Sequence, residues 1–529
     1  MGQRLAVTPL AMGFLETVPY PYLTAASALG VYLIAGAVYR LYFSPVTNFP
    51  GPKLAALTLW YEFYYDVVCR GQYTFEIKRM HEKYGPIVRI NPYELHIETP
   101  EYYDEIYAGG GKRRDKWDWF TNQFGIPEST FATASHEKHR MRRAALNPFF
   151  SMASVRRLQP MIEERLEKFL GRFADFQKSG EPMTVSLGYA AFTNDVVMEY
   201  AFARCDHRIE APDFDPSFHD ASIVGSTMGH MTKQLTWVLP LMQTLPDWVT
   251  IKLNSDMASY VNLQKDIHKQ IATIQTATYN GHLKVSHDTI FHEILNSKLP
   301  PEEKTPTRLW QDGQVTVIAG TLTTAWALSV MTYHLLTVPE VLRKLKTELA
   351  TAIPDPSRSV PLSALEQLPY LTACIQEGLR LSCGVSSRLQ RIAPDEDLIF
   401  NDGKKSWTIP RGTPVGMTST IMHYDPSIFP SPTTFRPERW IENPRLDKYL
   451  IAFARGSRQC IGINLAYAEL YLALSTIFRR YGSKDVRRDG DLGAFELFDT
   501  TDKDWVIVGD GITPLTVSES KGIRIRVVK

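Results

Sequence analysis

Phe453-Ala454-Arg455-Gly456-Ser457-Arg458-Gln459-Cys460-Ile461-Gly462 decides how this chain is read. It runs straight into Ile463-Asn464-Leu465-Ala466-Tyr467-Ala468-Glu469-Leu470, a series of good helix formers. Cys460 therefore lies in a tight turn that opens a helix. Gly456 and Gly462 permit unusual φ values and the close approach of a flat group. The free N–H groups and positive potential of the helix start favour a thiolate, so the cysteine pKa is expected to fall. Arg458, two residues earlier, offers a cation to an anionic group on whatever the turn binds. A buried cysteine at a helix start is ordinarily inert. The spacing F-x-x-G-x-R-x-C-x-G sets this one apart.

That spacing resembles the haem-binding signature of the cytochrome P450 family, complete at Phe453, Gly456, Arg458, Cys460 and Gly462. The resemblance implies haem b (iron protoporphyrin IX), with Cys460 as the axial ligand of the iron. A thiolate there pushes electron density onto the metal and favours O–O cleavage.

Other segments fit the resemblance, in the order the family has them. Glu377-Gly378-Leu379-Arg380 puts an acid and a base on one helix face. Phe435-Arg436-Pro437-Glu438-Arg439-Trp440 resembles the family's P-E-R-F segment, with Trp440 in place of the last Phe. Together they imply a structural network of Glu377, Arg380 and Arg439 that locks the chain ahead of Cys460. The run from Val315 to Leu328 reads as a buried helix. Within it Ala319, Gly320, Thr323 and Thr324 match the family's oxygen-activating motif. Gly320 is expected to leave room for dioxygen and Thr323 to route protons. Leu322 is a departure: the motif's acid is missing, and water, Thr321 or Thr324 is expected to stand in. His139 and Arg143 occupy the family's W-x-x-x-R positions and imply hydrogen bonds to a haem propionate, with Arg391 a further candidate.

Working outward, the 529 residues are 44% apolar and 22% charged, ordinary globular composition. Lys plus Arg is 58 against 57 Asp plus Glu, a balance that gives no electrostatic footprint for nucleic acid. Five widely spaced cysteines without C-x-x-C exclude a zinc ribbon or a thioredoxin-type site. Thr17 to Tyr39 carries no charge, is long enough to cross a bilayer, and has tyrosines at both ends. Pro45, Pro50 and Pro52 then read as a stiff hinge. Beyond it, helical spacing predominates, as in Glu163–Phe173 and Val341–Leu349. Short strand-like runs appear at Ile87–Ile90, Leu95–Ile97, Trp407–Ile409 and Ile523–Val527.

The expected fold is mainly α with a minor β portion, the cytochrome P450 fold. Its expected organisation is a tail (1–16), a transmembrane anchor (17–42), a Pro-rich hinge (43–53) and one catalytic domain (54–529). Trp117–Phe131, Met228–Trp248 and Trp505–Pro514 are the expected pocket walls, the second also a lid resting on the membrane. The chain most resembles fungal microsomal members of the trichodiene oxygenase-like group, which oxidise terpenoid or polyketide-derived metabolites. The resemblance implies a haem-thiolate monooxygenase that takes NADPH electrons through a cytochrome P450 reductase. It would act on dioxygen and an apolar small molecule, anchored in the endoplasmic reticulum and facing the cytosol. Leu322 keeps a redox-neutral isomerase or dehydratase as the alternative, and a non-catalytic membrane-anchored haem protein stands behind it.

Overall fold

Apolar residues recurring every three or four positions make most of this chain helical. The computed structural model describes residues 20–246 and 289–529 and part of the stretch 247–288. The tail 1–16 and the first residues of the expected anchor lie outside the described residues. In chain order the long helices are α1 (Pro21–Val38), α2 (His136–Leu146), α3 (Gln159–Ser179) and α4 (Val185–Phe202). They continue with α5 (Ser217–Thr232), α6 (Pro306–Thr337), α7 (Pro339–Ala352), α8 (Pro369–Ser382) and α9 (Ile463–Arg480).

Helix α1 keeps its apolar side chains outside the core. Leu23, Leu29, Val31, Leu33 and Ile34 are all exposed, and the apolar stretch continues through a π-turn at Tyr39–Phe43. The 22 residues Tyr22–Phe43 are long enough to cross a bilayer core of about 30 Å. The prolines that follow do not leave a free hinge. Val46 and Phe49 are buried against the first sheet, Phe49 stacks on Trp407 at 5.4 Å, and Arg89 N donates to Pro50 O at 2.7 Å. Arg40 at the foot of α1 donates to Leu57 O at 2.7 Å.

The main core lies between α3, α4, α6, α7, α8 and α9. Ile162, Leu166, Phe169 and Phe173 form the buried stripe of α3, and Gly180 closes that helix in the left-handed region. Val341, Leu342, Leu345 and Leu349 do the same for α7. Helix α6 opens on the side chain of Thr305, which accepts from Arg308 N, with Pro306 in the first turn. It runs for 32 residues through the middle of the core.

Two sheets flank the helices. In the first, β1 (Ile87–Arg89) and β2 (Leu95–Ile97) are antiparallel, and β2 runs parallel to β7 (Pro414–Gly416). β4 (Arg391–Ile392) closes that sheet antiparallel to β7. The second has the order β3 (Met183–Thr184), β12 (Arg524–Val528), β9 (Gly493–Leu497), β8 (Tyr481–Ser483). Hairpins join β5 (Leu398–Asn401) to β6 (Ser406–Ile409) and β10 (Gly509–Gly511) to β11 (Thr513–Leu515). The strand-like runs read from sequence are β1, β2, β6 and β12. The two- and three-residue strands are too short to show a period of two.

Where α8 crosses α6, a Cβ on Gly378 would lie 2.2 Å from Met331 Cγ. Gly378→Ala is therefore expected to destabilise the fold by about 1–3 kcal/mol through overpacking, read as a lowered urea midpoint with unchanged slope.

Candidate active site

The turn that carries Cys460 is shaped by close backbone contacts. Gly456 has φ +73°, and a Cβ there would lie 2.1 Å from Tyr107 O, so both the conformation and the space require glycine. Cys460 N donates to Phe453 O at 2.9 Å, closing the loop on itself. Gly462 caps α9 with an ordinary φ of −84°. Its expected freedom at positive φ is not used. A Cβ there would meet Cys460 Sγ at 4.0 Å, so what it contributes is an open flank beside the sulfur.

Cys460 is solvent-accessible although it lies deep among protein atoms, because its side chain faces an internal space. Burial pushes the thiol up, while the Gly462 N–H and the charge of Arg143 pull it down. The expectation of a depressed pKa is thus corrected for the protein alone: desolvation outweighs the helix end. A coordinated metal would reverse the balance, since it deprotonates a thiol outright.

Around this space stand Arg458, Arg391, Arg143, His139 and Lys116. Each is depressed first by its burial, and Arg458, His139 and Lys116 are depressed further by cations of the same group. Arg458 is brought down to about 9 and His139 to about 2, so His139 serves as a neutral imidazole. Among the described residues, the acidic groups that favour their charge are Asp115 beside Arg458 and the Cys460 thiol beside Arg143, together with phenols beside Arg391. Arg143 donates to Gln459 O at 2.6 Å, and Arg458 to the carbonyls of Arg114, Thr133 and Ala134. Carbonyls orient these guanidiniums without neutralising them. A dianionic group such as the two propionates of haem fits this cluster. Lys116 was not picked out from the sequence: it lies in an irregular stretch with no motif, its ammonium 3.9 Å from the Phe131 ring centre.

Helix α6 supplies the other wall. Ala319 is exposed and Thr323 half-exposed in the middle of an otherwise buried helix, one turn apart on one face. Thr323 Oγ1 donates to Ala319 O at 2.8 Å, leaving its oxygen to accept. Gly320 does not open that face. A Cβ there would lie 2.9 Å from Val197 Cγ2, so the glycine is demanded by the approach of α4. Room for a bound group on this face would come from the small side chain of Ala319. Thr324 is buried and turned toward Glu469 on α9, away from the open space. Thr321 points to α4, where Asn194 Nδ2 donates to its hydroxyl at 3.1 Å. Leu322 is buried.

The structural network is assembled as expected and is larger than the sequence suggested. Glu377 accepts from Arg380 Nε (2.9 Å) and Nη2 (2.8 Å), Arg439 Nε (3.1 Å) and Arg436 N (3.0 Å). It also accepts from Trp440 Nε1 at 2.9 Å, which gives the departure at position 440 a purpose.

Of the expected walls, Phe120, Phe124 and Phe131 contact one another edge to face at 6.2 and 4.8 Å. Gln123 O accepts from Thr232 at the end of α5. The β10–β11 turn also reaches α5, where Ile512 packs at Gly229. Trp505 does not belong to this group. It packs on His334, 11 residues beyond Thr323 and thus roughly 16 Å along α6.

Replacing Glu377 with Gln leaves two buried guanidiniums without their carboxylate and is expected to cost about 3–5 kcal/mol. Trp440→Phe removes one bond to a charged acceptor and is expected to cost about 2 kcal/mol, with haem content kept. Chemical unfolding of both variants beside the parent measures the difference.

The family model for cytochrome P450 matches residues 50–493 of this chain. The chain is similar to cytochrome P450 monooxygenase tpcC of Cochliobolus heterostrophus, 53% identical over 93% of this chain and 94% of that protein. It is 46% identical to cytochrome P450 monooxygenase astB of Talaromyces wortmannii, over 95% of this chain and 97% of that protein. Tryptophan 6-hydroxylase fscE of Fusarium equiseti is 40% identical, over 93% of this chain and 94% of that protein. A thiol facing an internal space, a ring of cations and a helix with one open face are the parts needed to hold haem b, and with these relatives they make the chain a member of the cytochrome P450 family, a haem-dependent monooxygenase.

Proposed function

We propose that the protein inserts one oxygen atom from dioxygen into an apolar small molecule of terpenoid or polyketide origin, in fungal secondary metabolism. Electrons would come from NADPH through a membrane-bound reductase. The observation that carries this reading is the pairing of Cys460 with the open Ala319–Thr323 face of α6. When bound, haem supplies oxygen activation and electron storage. The chain's own residues do the rest. Cys460 would ligate the iron. Arg143, Arg391, Arg458, Lys116 and neutral His139 would hold the propionates. Thr323, its own proton committed to Ala319 O, orients water by accepting from it. The phenylalanines at 120, 124 and 131 give the substrate an apolar wall that excludes bulk water.

The exposed surface supports a membrane placement. Trp237, Leu241 and Trp248 are exposed, as are Leu54, Trp60, Tyr64 and Val68. Gln234 Nε2 donates to Leu59 O at 3.0 Å, and Lys233 is held by Glu62 (2.5 Å) and Asp66 (2.7 Å), so the two groups lie side by side. The α1 end is tied to Leu57. This supports a single-pass anchor in the endoplasmic reticulum, with the catalytic part on the cytosolic side and its apolar rim in the lipid surface.

Dithionite reduction under carbon monoxide is expected to give the strongly red-shifted Soret band of a thiolate-ligated haem. Cys460→Ser is expected to lose that band while keeping its helical circular dichroism. A panel of lipophilic terpenoids and polyketides, screened for spin-state shifts and then for NADPH- and reductase-dependent oxygenation, tests the substrate class. Turnover of free amino acids alone would overturn it.

A further inference from the structure

The three pocket walls expected from sequence meet at one buried ammonium. Lys233, just past the end of α5, is 1% exposed. Its Nζ donates to Glu62 Oε1 at 2.5 Å and to Asp66 Oδ2 at 2.7 Å, and lies 5.3 Å from the Trp119 ring centre. The residues beside it bind the other walls. Thr232 Oγ1 donates to Gln123 O at 3.0 Å, and His230 Nε2 donates to Asp510 O on β10 at 2.7 Å. Glu62 is fixed from behind: Arg388 Nη2 donates to it at 2.7 Å, and Arg388 Nε donates to Glu94 at 2.8 Å. Asp66 Oδ2 also faces His230 Nδ1 at 3.3 Å, and Asp66 Oδ1 has no hydrogen-bond partner.

The seam between α5 and the segment 60–68 is inverted. Glu62 and Asp66 are buried, while Trp60, Tyr64 and Val68 of the same segment are exposed. Lys233 is buried, while Trp237 and Leu241, four and eight residues on, are exposed. Charges lie inside and apolar side chains outside, the reverse of an ordinary protein surface. A fixed strut is made at least as stable by apolar residues, because a buried ion pair recovers little of the hydration its charges lose. A charged seam behaves differently when its sides part. Water then hydrates both ions and offsets the lost pair, whereas a parted apolar seam gains nothing.

We propose that Lys233 is the latch of the substrate entrance. The passage lies between the end of α5 and the segment 60–68, and it opens when Lys233 leaves Glu62 and Asp66. Its outer rim of Trp60, Tyr64, Trp237 and Leu241 suits bulky apolar molecules. Glu62 stays on Arg388 during opening, so the break falls at the ammonium. Lys233 is a positioning residue: it acts on the rate of entry, and so on which molecules enter, through the place of α5. The inference rests on the apolar-substrate reading, and a haem ligand tests it without a substrate.

Stopped-flow binding of two nitrogen ligands to the haem-loaded, full-length protein in detergent micelles reads the latch. Clotrimazole is bulky and lipophilic, imidazole is small, and the Soret shift follows each. Lys233→Met keeps the apolar stem and removes the charge. It is expected to bind clotrimazole about tenfold faster, the lower end of what a hydrogen bond to a charged group contributes, with the imidazole rate unchanged. Asp66→Asn, which keeps the shape, is expected to give a smaller rise of the same kind. An unchanged clotrimazole rate in Lys233→Met at an unchanged carbon monoxide spectrum overturns the proposal. So does an equal rise for both ligands, as a merely loosened fold would show. If Lys233→Met fails to load haem, the two rates in Asp66→Asn decide alone. Failure of the apolar-substrate reading would appear in the substrate panel and leave these rates as they are.

Discussion

Five hydrogen bonds converge on the two oxygens of Glu377, and the position of the cysteine depends on them. The donors come from α8 itself and from the segment that runs toward Cys460: Arg380, Arg436, Arg439 and Trp440. Arg380 spends its remaining donors on the carbonyls of His423 and Pro432. His423 in turn takes the Ile451 N–H on Nε2 at 3.0 Å and uses Nδ1 on Arg380 O. The imidazole is pushed down to about 3 by burial and by Arg380, so it stays neutral and keeps one acceptor for Ile451. Two residues later Phe453 O fixes Cys460 N. The thiol is thus placed by a chain of polar contacts that starts on α8. Removing a charged member of it is costly, because it leaves a buried charge or carbonyl unpaired.

The electrostatics of the internal space point to a ligand as part of the fold. Lys116, His139 and Arg458 are depressed by the cations around them, Arg143 and Arg391 included, and among the described residues few acidic groups relieve them. Protein interiors ordinarily pair such charges. A cluster of this kind opposes folding of the bare chain and is relieved when a dianion binds, so haem affinity and stability are linked. The raised Cys460 thiol belongs to the same balance. It costs little while neutral, and the metal takes its proton on binding.

The sequence was most legible where chemistry demands fixed spacing. Phe453 to Gly462, Glu377 with Arg380, and Arg143 are all brought to one region because their backbone contacts leave no latitude. It was less legible where a residue's reason lies in a neighbour far along the chain. Gly320 looked like space for dioxygen, and Val197 shows it to be space for a helix. Trp440 stood out in sequence only as a departure from Phe, and its indole N–H proves to be the fifth bond to Glu377. Lys116 carried no motif at all. Trp505 was placed by proximity in sequence to the β10–β11 turn, whereas its ring belongs to His334. The Pro-rich segment reads as a stiff hinge on its prolines, yet Val46 and Phe49 within it are anchors on the first sheet.

Helix α6 shows how one element meets four demands at once. Successive residues turn by about 100°, so Ala319 and Thr323 face the interior while Gly320 and Thr321 meet α4 and Thr324 meets α9. Each neighbour fixes its own residue type. Closeness to α4 requires glycine, Asn194 requires a hydroxyl at 321, and Glu469 is matched by a hydroxyl at 324. Position 322 faces none of these polar partners and is buried, so leucine there gains apolar burial that an acid would forfeit. An acid at 322 would need a cation of its own. Asn194 instead takes up Arg208 through its carbonyl at 3.1 Å, and Arg208 pairs with Asp215 at 2.6 Å. With the arginine on that flank already satisfied, the one carboxyl near the middle of α6 that lacks a cation is Glu469, among the described residues.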